Sequence, residues 1–92
     1  MIYEWDKAKR LKNIAKHELD FVDADLVFES LEKVTVEVTR AIDKEIRYAD
    51  FAKVKGKILK FVYTMRKKRI RCISFRIASQ NERKCYEKAK NS

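Results

Sequence analysis

Along Val34–Thr39 apolar and polar residues alternate without a break, Val34, Val36 and Val38 standing between Thr35, Glu37 and Thr39. A period of two marks a strand with one face buried. Glu45–Val54 forms another, with Glu45, Arg47, Ala49, Phe51 and Lys53 on one side. Lys57–Met65 is apolar on both faces, at Ile58, Leu59, Phe61, Val62, Tyr63 and Met65, which places it centrally in a sheet. Strict alternation through Arg69–Ile77 sets Ile73, Phe75 and Ile77 against Ile70, Cys72, Ser74 and Arg76. The turns between these runs are short: Lys55-Gly56 uses glycine for positive φ, and a basic turn follows Arg66. Ile2–Trp5 is short enough for an edge or first strand.

Helical spacing occupies the remainder. Asp6 is an N-cap for a helix whose apolar stripe is Ala8, Leu11, Ile14 and Ala15 and which ends near His17-Glu18. Asn13 and His17 are four residues apart and share a face with Arg10. After a break at Leu19-Asp20, Val22–Ser30 forms a second helix, burying Phe21, Ala24, Val27 and Phe28. Asp20, Asp23, Asp25 and Glu29 form its solvated acidic face, without the spacing of a calcium loop. Ser79-x-x-Glu82 is a capping box that opens the last helix, where Glu82, Cys85, Tyr86 and Ala89 share a face. The predicted order is β-α-α-β-β-β-β-α, an α+β fold in which an antiparallel meander is covered on its apolar face by three helices, and residues 1–92 form one domain.

Charge adds a direction to this picture. The net charge is +9, but residues 1–31 carry −2, residues 32–54 are neutral and residues 55–92 carry +11. Such polarity points to a nucleic-acid backbone, a membrane surface or an acidic partner, with a solvated basic face as the bland alternative. No apolar run approaches the ~20 residues of a membrane span, and Met1–Asp6 lacks the pattern of a signal peptide, so a cytoplasmic protein is expected. The two cysteines, Cys72 and Cys85, form no CxxC pair and are expected to be reduced and mostly buried.

Several chemistries fall away. One glycine cannot build a phosphate loop, one histidine cannot supply a two-histidine acid–base pair, and no cluster has metal-ligand spacing, so neither a metal nor another cofactor is expected. What remains is an arginine-rich sheet (Arg47, Arg66, Arg69, Arg71 and Arg76), with Tyr63, Tyr86 and His17. RNA strand cleavage without a metal needs a base for the 2′-hydroxyl, an acid for the leaving 5′-oxygen and cations for the crowded phosphorane. Arginine suits the last task because its fork meets phosphate oxygens bidentately. By itself the set is unspecific, since any RNA-binding sheet offers Arg and Tyr.

A resemblance narrows the choice. Glu4-Trp5-Asp6, Lys9, Asn13, Lys16-His17, Phe21, Ala24 and Phe28, followed by Arg47, Gly56, Val62-Tyr63-Thr64, Arg66, the run Arg71–Ala78, Glu82 and Tyr86, resemble the signature of the BrnT toxin family. The similarity covers nearly the whole chain. Glu18 stands where that family usually has glycine, and Phe75 where it usually has a small residue. The resemblance implies a fold similar to the RelE group of small ribonucleases and a ribonuclease toxin of a type II toxin–antitoxin system. It further implies neutralisation by a BrnA-like ribbon-helix-helix antitoxin, with operator DNA bound only through the complex. Arg66, Arg76, Tyr86 and His17 are then the candidate catalytic residues, and Arg47, Lys68, Arg69 and Arg71 the candidate RNA contacts. Each has a structural alternative: Arg66 as a solvated turn residue, Arg76 as a partner of Glu82, Tyr86 as packing, His17 as a helix-end group. The competing function is a non-catalytic module that binds nucleic acid or an antitoxin through the same basic sheet.

Overall fold

A computed structural model describes residues 1–92. The elements are β1 (Ile2–Glu4), α1 (Lys7–His17), a 3-10 turn (Phe21–Asp23), α2 (Asp25–Phe28), β2 (Val34–Glu37), β3 (Tyr48–Val54), β4 (Lys57–Arg66), β5 (Arg69–Ile77) and α3 (Gln80–Lys90). They form an α+β domain around one five-stranded sheet of order β1-β5-β4-β3-β2. Strands β2 to β5 are the expected antiparallel meander. The sheet as a whole is mixed, because β1 returns to pair in parallel with β5. The expected helix over Val22–Ser30 is instead a 3-10 turn followed by a four-residue helix, its core residues Phe21, Ala24 and Val27 fully buried as their spacing requires. The strand expected from Glu45 begins at Tyr48, and residues 38–47 fold back as a connection closed by a Val38 N–H to Arg47 C=O bond of 2.8 Å.

The turns explain the meander's tight register. Lys55-Gly56 and Lys67-Lys68 are two-residue connections with positive φ at both positions, the geometry that matches strand twist. Glycine serves this at one site; at the other two lysines adopt it.

One irregularity changes which side chains share a face. Val62 pairs with Ser74 but Tyr63 pairs with Cys72, so Ile73 is an extra residue on β5. This β-bulge reverses the alternation expected for Arg69–Ile77. Cys72 and Phe75 now both enter the core beneath the 3-10 turn and α2, with Phe21, Ala24, Val27, Leu59, Phe61, Tyr63 and Ile70. Arg71 and Arg76, which strict alternation separates, come to the same face, opposite Thr64 and Lys60 of β4.

The helices are also distributed differently from the expectation that three of them cover one apolar face. The 3-10 turn and α2 cover the core face. Helix α3 begins on the other face, where Glu82 meets Lys60 and Arg76. Helix α1 lies along the edge of β5 beyond the short β1. There its contact is polar: the Asn13 side-chain amide donates to Phe75 C=O at 2.8 Å and accepts from Phe75 N–H at 3.1 Å. The same amide nitrogen donates to Leu19 C=O at 2.9 Å. Asn13 thus supplies the donor and acceptor that a neighbouring strand would supply. The predicted stripe is consequently wrong for α1: Leu11 is 55% exposed and Ala8 and Ala15 face water, while Asn13 is the helix's buried residue at 8%.

Cys72 is buried, and burial pushes its thiol up to about 12, but Cys85 is exposed, contrary to expectation, because its place on α3 lies away from buried Tyr86. A second polar group in the interior was also unforeseen. Asp50, fully buried, accepts from the hydroxyls of Thr35 (2.6 Å) and Tyr63 (3.0 Å) and pairs with Lys33 at 3.1 Å. Both of its oxygens have donors, which is what makes a buried carboxylate tolerable.

Removing the edge contact leaves a backbone N–H and C=O of Phe75 without partners. Asn13→Ala is expected to lower stability by about 3 kcal/mol, from penalties of roughly 1–3 kcal/mol per unsatisfied buried group. Lys12→Ala, on the exposed side of the same helix, is expected to change it by less than about 0.5 kcal/mol. Urea denaturation checks both; equal effects would mean the amide bonds contribute nothing.

Candidate active site

The face of the sheet opposite the core carries Lys60, Thr64 and Arg66 from β4 and Arg69, Arg71 and Arg76 from β5. It resolves into two clusters at opposite ends of the strands. At the α3 end, Glu82 is the hub. Its carboxylate accepts from Arg76 Nη1 (2.8 Å) and Nη2 (3.0 Å), from Lys60 Nζ (2.8 Å) and from the Ser79 backbone N–H (2.8 Å). The expected capping box is therefore formed, and the carboxylate that closes it also clamps two cations. Burial alone raises the pKa of Glu82, but the bonds from Arg76, Lys60 and Ser79 outweigh it and hold the group far below the usual carboxylate range. Two cations against one carboxylate leave this cluster with a surplus positive charge and its donors already aligned.

His17 lies at the edge of β5, where it lines a cavity of about 430 Å³ with Leu26, Val54, Leu59, Phe75 and Ile77 of the core side, and its ring is close enough to feel the charge of Arg76 across that edge. It lies one helical turn beyond Asn13 on the same face of α1. The imidazole pKa is lowered from its ordinary value, first by burial, then by the positive charges of Lys16 and Arg76. A depressed histidine is mainly neutral at pH 7, the form that accepts a proton. The aim of the ring depends on how the helix ends. Glu18 adopts φ 59° and its N–H bonds Ile14 C=O at 2.8 Å, so this glutamate takes up the left-handed geometry that glycine would adopt more easily.

At the hairpin end, Arg66 holds Glu45 of the β2–β3 connection bidentately at 2.8 and 2.6 Å. Arg71, Arg47, Thr64 and Lys9 line the same polar pocket of about 110 Å³. Arg47 also reaches Asp43 at 3.4 Å, and Arg69, across the strands from Arg66, reaches Glu4 at 3.7 Å. Lys68 lies in the exposed turn itself.

A family model described as "Ribonuclease toxin, BrnT, of type II toxin-antitoxin system" matches residues 5–82. The chain belongs to the BrnT family. No match was found among curated proteins. Membership makes RNA the target class and an antitoxin the partner. No helix is long and apolar enough to cross a membrane.

Against that identity, the structure brings some of the sequence-derived site residues together and separates others. Arg76 belongs to the α3-end cluster; His17 stands beside it at the β5 edge, lining the cavity on the core side. Arg66 is not part of that cluster: it is six residues along β4 from Lys60, roughly 20 Å at ~3.3 Å per residue. Tyr86 is buried one turn after Glu82, and its hydroxyl donates to Glu32 C=O at 3.1 Å, away from the cations. It ties α3 to the segment before β2. Lys60 and Lys9 are the residues that sequence reasoning passed over as site groups, whereas Glu82 was expected both as the cap and as a partner of Arg76. Lys60 interrupts an apolar run, Ile58-Leu59-Lys60-Phe61-Val62, and a lysine within a central strand was the available signal. Lys9 had a subtler one, its spacing of four from Asn13.

The chain has a single histidine, so its titration can be followed without assignment. By NMR its midpoint is expected below 6.5. In Arg76→Ala it is expected to rise, because the neighbouring positive charge that disfavours the imidazolium is gone. An unchanged midpoint would show that Arg76 does not face the ring.

Proposed function

We propose that this chain is a metal-independent endoribonuclease that arrests translation in the cytoplasm until a BrnA-like ribbon-helix-helix antitoxin covers it. Operator DNA is contacted only through the toxin–antitoxin complex. The observation that carries the catalytic part is the Arg76–Lys60 pair, pre-aligned by Glu82 and standing near a histidine kept neutral. Arg76 and Lys60 bind the scissile phosphate and stabilise the negative charge that grows on its non-bridging oxygens. His17 takes the proton of the attacking 2′-hydroxyl. The 2′-oxygen bonds to phosphorus as the bond to the 5′-oxygen breaks; the 5′-oxygen takes a proton from water and leaves as a hydroxyl, His17 returns its proton to solvent, and a 2′,3′-cyclic phosphate results. Arg47, Arg69 and Arg71 bind flanking phosphates, with Lys68 at the margin. Tyr86 is a positioning residue here, fixing α3 and hence Glu82.

A second reading has its own support. Arg66, Arg76 and Tyr86 all have partners within the fold, as in a sheet that only binds. That reading requires strongly salt-dependent RNA binding without scission.

Purified protein is expected to cut RNA in EDTA. Arg76→Ala is expected to slow cleavage by a factor on the order of 10² to 10³, the usual loss for one charge-stabilising donor. His17→Ala is expected to remove the acid limb of the pH–rate profile, whose midpoint lies below 6.5 because activity needs the neutral ring. Cleavage only with added divalent metal would refute the mechanism; binding without cleavage would establish the second reading.

A further inference from the structure

We propose that the pocket at the hairpin end is a second phosphate subsite, with Glu45 as the counter-ion an RNA phosphate displaces. The inference rests on the RNA-binding reading above and specifies how the substrate is held. Five cations from three separate parts of the chain converge on this pocket: Lys9 from α1, Arg66 and Arg71 from the β4–β5 hairpin, and Lys44 and Arg47 from the β2–β3 connection. They meet only because of two features. The β-bulge at Ile73 returns Arg71 to the face of Arg66, and the Asn13 contact holds Lys9, one turn before it, against the β5 edge.

The two carboxylates beside these cations differ. Asp43 is occupied within its own loop: its side chain is 3% exposed, and bonds from the Arg40 side chain and backbone N–H hold its pKa down to about 2. Glu45 has the cations of the sheet as its partners. The Arg66 bonds lower its pKa first, with Arg47 and Arg71 adding to the effect. Its pair with Arg66 is solvent-exposed on both sides, at 41% and 48%. An exposed pair contributes little and is readily exchanged. A phosphate brings the same bidentate geometry as the carboxylate and meets Arg71, Arg47 and Lys9 as well. The connection carrying Glu45 is itself braced, since Thr64 donates to Ile46 C=O at 2.7 Å. Displacement therefore requires only a turn of the Glu45 side chain.

Thr64, beside this pocket, and Lys60, at the Arg76 cluster, are four residues apart on β4, roughly 13 Å at ~3.3 Å per residue. A dinucleotide has one bridging phosphate and can fill one cluster. A longer single strand crossing the sheet can fill both, so substrate length is read by the protein.

The test uses 2′-O-methyl oligoribonucleotides, which bind but cannot be cut, in dinucleotide and hexanucleotide form. Wild-type protein is expected to prefer the hexanucleotide. Lys9→Ala and Arg71→Ala are expected to shrink that preference, each weakening hexanucleotide binding by roughly tenfold or less and lowering the slope of log K against log salt by about 0.7. Glu45→Gln is expected to tighten hexanucleotide binding. Lys9 is exposed, so its variant remains informative if Arg71→Ala fails to fold. Hexanucleotide binding that none of the three variants changes would overturn the subsite while leaving the RNA reading in place. No binding of either oligonucleotide by the wild type would overturn both.

Discussion

The side chain of Asn13 decides how this fold presents its chemistry. Strand β5 is covered by β1 only along Arg69–Arg71, and beyond that its backbone groups face an open edge. An amide carries one donor group and one acceptor, the pair a strand edge needs, and Asn13 places both on Phe75. A helix thereby docks where a strand would otherwise add. The residues one turn to either side, Lys9 and His17, are carried to opposite ends of β5. A hydrophobic contact along the Ala8–Leu11 stripe would have rotated both away.

Paired charges make the same face ready for an anion. Nearly every arginine on it has a carboxylate: Glu82 for Arg76, Glu45 for Arg66, Glu4 for Arg69, Asp43 for Arg47. These carboxylates limit repulsion between cations that the sheet register forces together, such as Arg66 and Arg69. They differ in how firmly they are held. Glu82 is fixed by four donors, one of them the N–H of the helix cap, so it orients Arg76 and Lys60 and stays in place. Glu45, exposed, has no such anchor. One carboxylate thus organises, and the other yields.

Much of this was legible in the residues, and the failures have physical causes. Period-two alternation and the Lys55-Gly56 turn were enough for the meander, and the double-sided apolar run of β4 correctly marked the centre of the sheet. Ser79 and Glu82 announced their capping box. The face of Arg71 was not legible, because a bulge at Ile73 shifts the phase by one residue and leaves no apolar gap behind. The orientation of α1 was not legible either, since its buried residue is polar and a hydrophobic stripe points elsewhere. In the candidate site, Arg76 and His17 were chosen from residue type and family pattern, as was Arg66, and nothing local distinguishes Arg66 at one end of the sheet from Arg76 at the other. Tyr86 was chosen for its chemistry; its hydroxyl turned out to be occupied by a backbone carbonyl more than fifty residues away.

The placement of one phosphate between Arg76, Lys60 and His17 is tested most directly by a crystal structure with a bound 2′-O-methyl oligoribonucleotide. A bridging phosphate bonded to both cations, with the His17 ring nearest the methylated oxygen, is the expected result. RNA lying over the helix-covered face, or a backbone that crosses the sheet without touching Arg76 or Lys60, would contradict it.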